Sequence, residues 1–519
     1  MKRELIKNLP RSYTEYHGVT RSFDTITFSS VKLQAVQRTA VLRGFIFFVI
    51  CFFLQSSLLF ATPTNYTYNY DFWFEQVASP DAYYVGAYIL GTSLGIGNFR
   101  DPQGLFVRDN RIYICDSGNN RIVLLVYENG EHRLVTTVDS VTVNGEKSPF
   151  NYPMDIFESR DGFLYIADTN NHRILKLDRN WNYVASVLKP DDESIDEHAE
   201  FLPLKLAVDF ANRLFVQARN INKGLMEFDS RGAFSGYMGA NKVQVNIIDY
   251  IWKVLATQAQ KERMELFIPT EYSNLCLDRD GFMYVTNSSG QTDPVRRLNA
   301  MGQDILIRNG YEDPVGDLAY GNAGGIVGPS RFIDVAAMDN DSYACFDHVR
   351  GRIFMYDFQG NLLYAFGGLG NREGCFLKPT ALNQMGHSLY ALDSGTTALT
   401  RFDMTAYGEK INRALDEYHA GRYESSAEVW EEVLKMNGNY DFAYIGIGRA
   451  ALRQGQYQKA MKYYKLKHFR EGYGKAFQLY RKQFMEENLW KILLVLAVVL
   501  LAPPLIKTAI RISREVREA

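Results

Sequence analysis

The chain reads as a mainly β protein with an α-helical C-terminal module, bracketed by two transmembrane helices. Three observations carry that expectation. Six strand-and-turn units recur with a period of about 50 residues between 101 and 408. A pattern of small and aromatic residues then repeats 34 residues apart within 409–487. Two apolar runs, 42–61 and 488–510, lie on either side. Composition agrees: of 519 residues, 46% are hydrophobic and 14% aromatic, enough to bury a large core and to exclude general disorder. The net charge of -2, from 57 Lys and Arg against 59 Asp and Glu, argues against a globally basic nucleic-acid binder.

The first element is a basic tail, 1–41, followed by the apolar run 42–61, whose only charge is Arg43. About 18 apolar-dominated residues are close to the minimum for a span. The long stretch before them favours a retained anchor over a cleaved secretion signal. The second run, 488–510, opens with Leu489, Trp490 and Lys491, which suit an interface, and Pro503 and Pro504 are expected to kink or end it. Positive charge flanks both runs, in 1–43 and again at Lys507, Arg511, Arg514 and Arg517. The positive-inside rule then puts both tails (1–41 and 511–519) in the cytoplasm and the middle of the chain outside, at the cell membrane.

The middle is built from one repeated grammar. In the first unit a strand near 104–108 meets a turn at Asp109-Asn110, and a second strand ends at Asp116. A third strand, 121–126, leads to the turn Asn129-Gly130 and a fourth strand. The second unit aligns Pro153 with Pro102, Asp168 with Asp116 and Arg173 with Arg121. Four antiparallel strands repeated around an axis form a β-propeller, in which each unit buries its faces on its neighbours. The run 83–97 is placed to supply the outer strand of the sixth blade and close the ring. The segments CDSGNNRIVLL at 115–125 and ADTNNHRILKL at 167–177 resemble the NHL-repeat signature, which implies a six-bladed β-propeller over 80–408. The other four copies are eroded, with Gln217 and Asn287 where the aspartate stands.

The repeated polar residues (Asp116, Asn119, Asn120 and Arg121, then Asp168, Asn170, Asn171 and Arg173) read as turn and strand-end scaffolding. A catalytic group is needed once, whereas a turn motif is needed in every blade. Some six-bladed propellers resemble gluconolactonases, and that distant resemblance implies an axial divalent metal held by oxygen ligands. Asp155, Asp209, Asn274 and Asp334 are the candidates here, but no Glu near Gln103 completes the set. The histidines form no zinc motif, and neither a nucleophile elbow nor a phosphate loop is present. The five cysteines lack any CxxC pairing and read as small buried hydrophobes. The acidic segment 189–200 reads as a solvated loop, 321–328 as a Gly-rich interblade loop and 245–259 as a helical insertion. No catalytic residue, cofactor or resident metal is expected.

After Gly408 the period changes to helical. Tyr444, Gly448, Ala451, Gly455, Tyr457 and Ala460 follow a pattern whose first copy places Ala414, Tyr418, Gly421, Tyr423 and Ala427 comparably. Gly421 to Gly455 and Tyr423 to Tyr457 are each 34 residues apart, which resembles tetratricopeptide repeats over 409–487. These readings combine into a membrane-anchored extracytoplasmic scaffold that binds a membrane or exported protein and is associated with a transporter. A carbohydrate receptor and a metal-dependent lactonase-like hydrolase are the alternatives. The expected partners are a protein, a carbohydrate and the lipid bilayer through two spans, and not nucleic acid.

Overall fold

The computed structural model describes residues 67–71, 73–195, 198–221, 223–239, 271–287, 293–310, 313–318 and 328–518. The expected basic tail 1–41, anchor 42–61 and helical insertion 245–259 lie outside these residues, as does most of the 321–328 loop.

Among the described residues six antiparallel sheets follow one another along the chain, their inner strands laid down in sequence order, with a separate two-stranded hairpin, Ser140–Val143 and Glu146–Pro149, after the first. The first contains Gly104–Arg108, Arg111–Asp116, Arg121–Glu128 and Glu131–Val138. Its outer two strands turn at Asn129 and Gly130, whose φ values of 54° and 87° give the tight hairpin that an Asn-Gly pair favours. The second runs from Pro153–Glu158 to Tyr183–Val187, and the third from Pro203–Val208 to Phe234–Met238. Three strands are described for the fourth, Asn274–Leu277, Met283–Thr286 and Val295–Leu298. The fifth runs from Phe332–Ala337 to Leu362–Gly367. Pro379–Met385, Ser388–Asp393 and Ala398–Met404 build the sixth. The first strands of successive sheets pack side by side and return from the sixth to the first, so the sheets are blades around an axis.

The ring closes as the sequence indicates. Tyr83–Leu90 pairs antiparallel with Ala398–Met404, in register from Leu90 opposite Ala398 to Tyr83 opposite Met404. Residues from before the first blade thus complete the last, removing two exposed sheet edges. A second attachment was not legible: Tyr68–Tyr70 and Gln76–Ala78 extend the fifth blade beyond its outer strand. The Tyr68 hydroxyl donates to Asp317 at 2.6 Å and the Gln76 amide at 3.1 Å, fixing this hairpin in place.

Apolar side chains between blades supply the main stabilisation. Ile112, Ile114, Val123 and Leu125 of the first blade are fully buried in one cluster with Tyr390, Leu392 and Leu399 of the sixth. Each such side chain contributes about 1.5–3 kcal/mol on burial. Polar latches then set the blade register. Ser117 donates to the Pro153 carbonyl at 2.6 Å, and Thr169 repeats this to the Pro203 carbonyl at 2.6 Å.

Five helices follow: α1 (Ala406–His419), α2 (Tyr423–Met436), α3 (Asp441–Arg453), α4 (Tyr457–Leu466) and α5 (Arg470–Glu518). Thr405 caps α1 by accepting from the Gly408 amide at 3.3 Å, and donates to the Asp81 carbonyl at 2.5 Å. Glycines permit the close helix crossings. A Cβ on Gly446 would lie 2.5 Å from the Trp430 indole nitrogen, and one on Gly448 2.6 Å from the Tyr464 ring. Trp430, Tyr440 and Ile447 share one continuous core with Phe366 and Phe402 of blades five and six. The Tyr440 hydroxyl donates to the Leu363 carbonyl at 2.7 Å, and Arg449 approaches the buried Asp357 carboxylate at 3.6 Å. Helices and propeller are therefore one packed unit.

The two-span expectation is corrected. Among the described residues one helix, α5, is long and apolar enough to cross a membrane. A two-pass topology with both termini cytoplasmic, and anchoring through two spans, are not retained. The helix also continues through Pro503 and Pro504 and does not end there. It starts at Arg470 and packs its first turns on α4, burying Gly472 and Ala476, while among the described residues nothing buries its apolar stretch.

Candidate functional site

The repeated Asp motif is structural. Asp116 is fully buried and accepts from the Arg100 amide at 2.7 Å, Asn119 at 2.8 Å and Arg121 at 2.7 Å. Asp168 does the same with the Asn151 amide, Asn171 and Arg173, each at 2.8 Å. Asn120 and His172 follow in the left-handed region, at φ 53° and 56°. Asp347 and Asp393 repeat the latch, accepting from the Arg331 amide at 2.7 Å and the Lys378 amide at 2.8 Å. Each carboxylate ties the end of its blade's second strand to the segment entering the same blade. Asn170 takes no side-chain part in the second latch; its amide donates to the Asn151 carbonyl at 3.1 Å.

The remaining candidates converge on the axis, with one exception. Bulges at Pro153/Asp155, Pro203/Lys205, Phe332/Asp334 and Pro379/Ala381 place Asp155, Lys205, Asp334 and Ala381 at equivalent inner-strand positions. Asp155, Lys205 and Asp334 share with Asn274 the wall of a common axial cavity of about 240 Å³. Asp209 is elsewhere: it closes the turn to Arg213, accepting from its amide at 2.9 Å and its guanidinium at 2.8 Å.

The axial groups hold backbone. Asp155 accepts from the Leu206 amide of the next blade at 3.0 Å. Asp334 accepts from its own neighbour, the Val335 amide, at 2.7 Å and from the Leu382 amide of the next blade at 2.6 Å. Asn274 accepts from the Leu275 amide at 2.8 Å. Inner strands present an unpaired edge toward the axis, and these side chains satisfy its N–H groups. Burial pushes the Asp334 carboxyl up to about 7, the Lys205 charge opposes the rise, and Asp155 adds to it. Burial raises Asp155 as well, again against Lys205.

Lys205 was missed as a candidate. It is only 7% exposed, and its ammonium donates across the channel to the Gln103 carbonyl at 3.2 Å. One sequence signal marks it: Pro203-Leu-Lys205 repeats the frame of Pro153-Met-Asp155. The ring thus holds a cation of its own between two carboxyl groups. Among the described residues no group of three or more His, Cys, Asp or Glu is placed to hold a metal ion, so the arrangement gives the lactonase-like alternative no support. The described cysteines are free; Cys115, Cys345 and Cys375 are buried, and Cys276 is partly buried.

Around the open end of this cavity the wall becomes mixed in charge. Arg108 lies over the Phe106 and Phe157 rings at 5.6 and 5.8 Å, and Arg160 over Phe210 at 3.4 Å. Arg279 donates to the Asp339 carbonyl at 2.6 Å. Arg279 and Asp339 also line a second cleft of about 390 Å³, whose far wall is Asp416 and His419 of α1. One recessed surface therefore runs from the propeller axis to the helical module.

No protein-family model matches the chain, and no curated protein matches it. Solved structures share its outline at low similarity. A virginiamycin B lyase from Staphylococcus aureus is 11% identical, with a TM-score of 0.39, over 62% of this chain and 100% of that one. A structural-genomics protein from Bacteroides thetaiotaomicron is 11% identical, with a TM-score of 0.40, over 59% and 70%. The protein U3-55K is 11% identical, with a TM-score of 0.39, over 59% and 97%. At such scores these likenesses carry no weight for activity, ligand or partner.

Proposed function

We propose that this chain is a non-enzymatic binding scaffold. Its propeller and helical hairpins recognise a protein partner as one rigid unit, and α5 tethers that unit to a bilayer. The observation that carries the reading is the core shared by blades five and six with α1–α3, which fixes two recognition modules in one geometry. A rigid pair binds a partner without the ordering cost that a flexible linker imposes. The signatures at 115–125 and 167–177 favour NHL-type blades, and the 34-residue spacing favours tetratricopeptide-like helices. Both are repeat architectures that present extended binding surfaces. An apolar helix segment of this length, exposed among the described residues, is favourably accommodated in a bilayer.

The test is affinity purification of the full chain from gently solubilised membranes. Arg160→Glu with Phe210→Ala alters the propeller face, and Arg422→Glu alters the helical module; all three residues are exposed. The proposal expects a defined protein partner in the wild type and its loss, several-fold or more, in at least one variant. An identical set of recovered proteins from wild type and both variants would overturn it.

A further inference from the structure

Two cavities approach Lys205 from opposite ends of the propeller axis, and their walls differ in charge. The cavity described above balances Asp155, Asp278, Asp334 and Asp339 against Arg108, Arg160, Arg279 and Lys205 itself. The other, of about 310 Å³, opens where the inner strands begin, between Met154, Leu204, Ile333 and Pro379. Every titratable side chain in its wall is basic: Lys205, Arg331, His348 and Lys378. Its volume is at the low end of ligand cavities, which run from about 300 to 1,000 Å³.

The four basic groups are not equally free. Lys378 pairs with Asp101, which lies outside the wall, at 3.3 Å. Asp101 also accepts from Gln103 at 2.7 Å and from the Tyr152 hydroxyl. Arg331 is exposed, and among the described residues neither it nor Lys205 forms an ion pair. Lys205 lies at the base, 7% exposed, and among the described residues the Gln103 carbonyl is its one hydrogen-bond acceptor. An ammonium carries three donors, and a buried one left short of acceptors is costly. Asp155 and Asp334 act on it through space from the other cavity, where both carboxylates are engaged by backbone amides. The basic end supplies no carboxylate of its own.

We propose that this basic end of the axis binds a small soluble oxyanion, a carboxylate or a phosphate, on the Lys205 ammonium at depth and the Arg331 guanidinium at the rim. Lys378, already paired with Asp101, is not one of the ligands, and the propeller provides a preformed wall in which a charge-assisted hydrogen bond is strong.

The experiment is isothermal titration of the full-length chain, in neutral detergent at fixed ionic strength, with inorganic phosphate and separately with succinate. The proposal expects saturable one-to-one binding of at least one of them. Lys205→Met weakens it by about tenfold or more, and Arg331→Gln by about threefold or more. Arg108→Gln, at the other end of the axis, leaves it unchanged. Should Lys205→Met not fold, Arg331→Gln on the exposed rim still decides the matter. Repeating the titration in phosphatidylcholine and in phosphatidylglycerol nanodiscs separates a free anion from a lipid headgroup. Equal free-anion affinity in both supports a soluble ligand, and competition by phosphatidylglycerol would overturn it. No saturable binding of either anion, or equal affinity in wild type, Lys205→Met and Arg331→Gln, would also overturn the proposal.

Discussion

Asp334 makes the axis sensitive to pH, with a sign that can be worked out. Its carboxyl rises from 3.8 to about 7 on folding, chiefly through burial. Between those values the folded chain holds a proton that the unfolded chain has released. Stability from this group is therefore complete below about pH 4 and is lost as pH rises through about 7. About three units of displacement correspond to on the order of 4 kcal/mol. Asp334→Asn removes the titration. It keeps an oxygen for the Val335 amide, as Asn274 keeps one for Leu275, but turns an NH2 toward the Leu382 amide. That loss is about 1–3 kcal/mol and does not depend on pH. The assay is thermal unfolding of wild type and variant in parallel from pH 4 to 8, so that other titrating groups cancel. The variant is less stable at pH 4, and its deficit shrinks toward pH 8 or changes sign. A difference that stays constant across this range would refute the reasoning.

Other perturbations follow from the same contacts. Gly446→Ala drives a methyl group into Trp430 and should cost about 1–3 kcal/mol, read as a lower melting temperature. Gly474→Ala, with nothing within 4 Å on the exposed face of α5, should be neutral or stabilising by up to about 1 kcal/mol. Asp168→Ala strands the Asn151 amide, Asn171 and Arg173 and should cost about 3–5 kcal/mol in chemical denaturation. Tyr440→Phe removes the bond to Leu363 and should cost about 1 kcal/mol, whereas Arg449→Met deprives buried Asp357 of its cation and should cost about 1.5–3 kcal/mol. Equal melting temperatures for the last two would contradict the helix docking described here.

The blades were legible because each unit states the same rule: an inner strand, a turn, and a second strand ending at a buried Asp or its substitute. Closure by Tyr83–Leu90 was legible because that run sat outside the repeats and had strand character. The Tyr68–Ala78 hairpin was not, since its tyrosines find Asp317 at separations of 247 and 249 residues and no local pattern reports such a meeting. At the axis, Asp155, Asn274 and Asp334 were legible as candidates by their place near strand starts, but what they hold was not. Oxygen atoms that suit a metal in a distant resemblance here accept backbone amides, from the next blade at Asp155 and Asp334 and from the same strand at Asn274. Asp209 failed because it lies four residues beyond the ring position, in a turn. Lys205 escaped because a lone lysine in a strand resembles an outward polar residue until the Pro-x-Lys frame is aligned with Pro-x-Asp. The α5 prolines do not end the helix, since a proline inside a helix bends it more readily than it stops it.

The central claim is that a rigid propeller and helical unit works by binding a protein. It is tested most directly by crosslinking the full-length chain in intact cells and identifying the crosslinked peptides by mass spectrometry. The account predicts reproducible crosslinks from both the propeller and the 406–469 helices to the same partner protein. Reproducible self-crosslinks that report the folded unit, with no specific crosslink from either part to another protein, would contradict it.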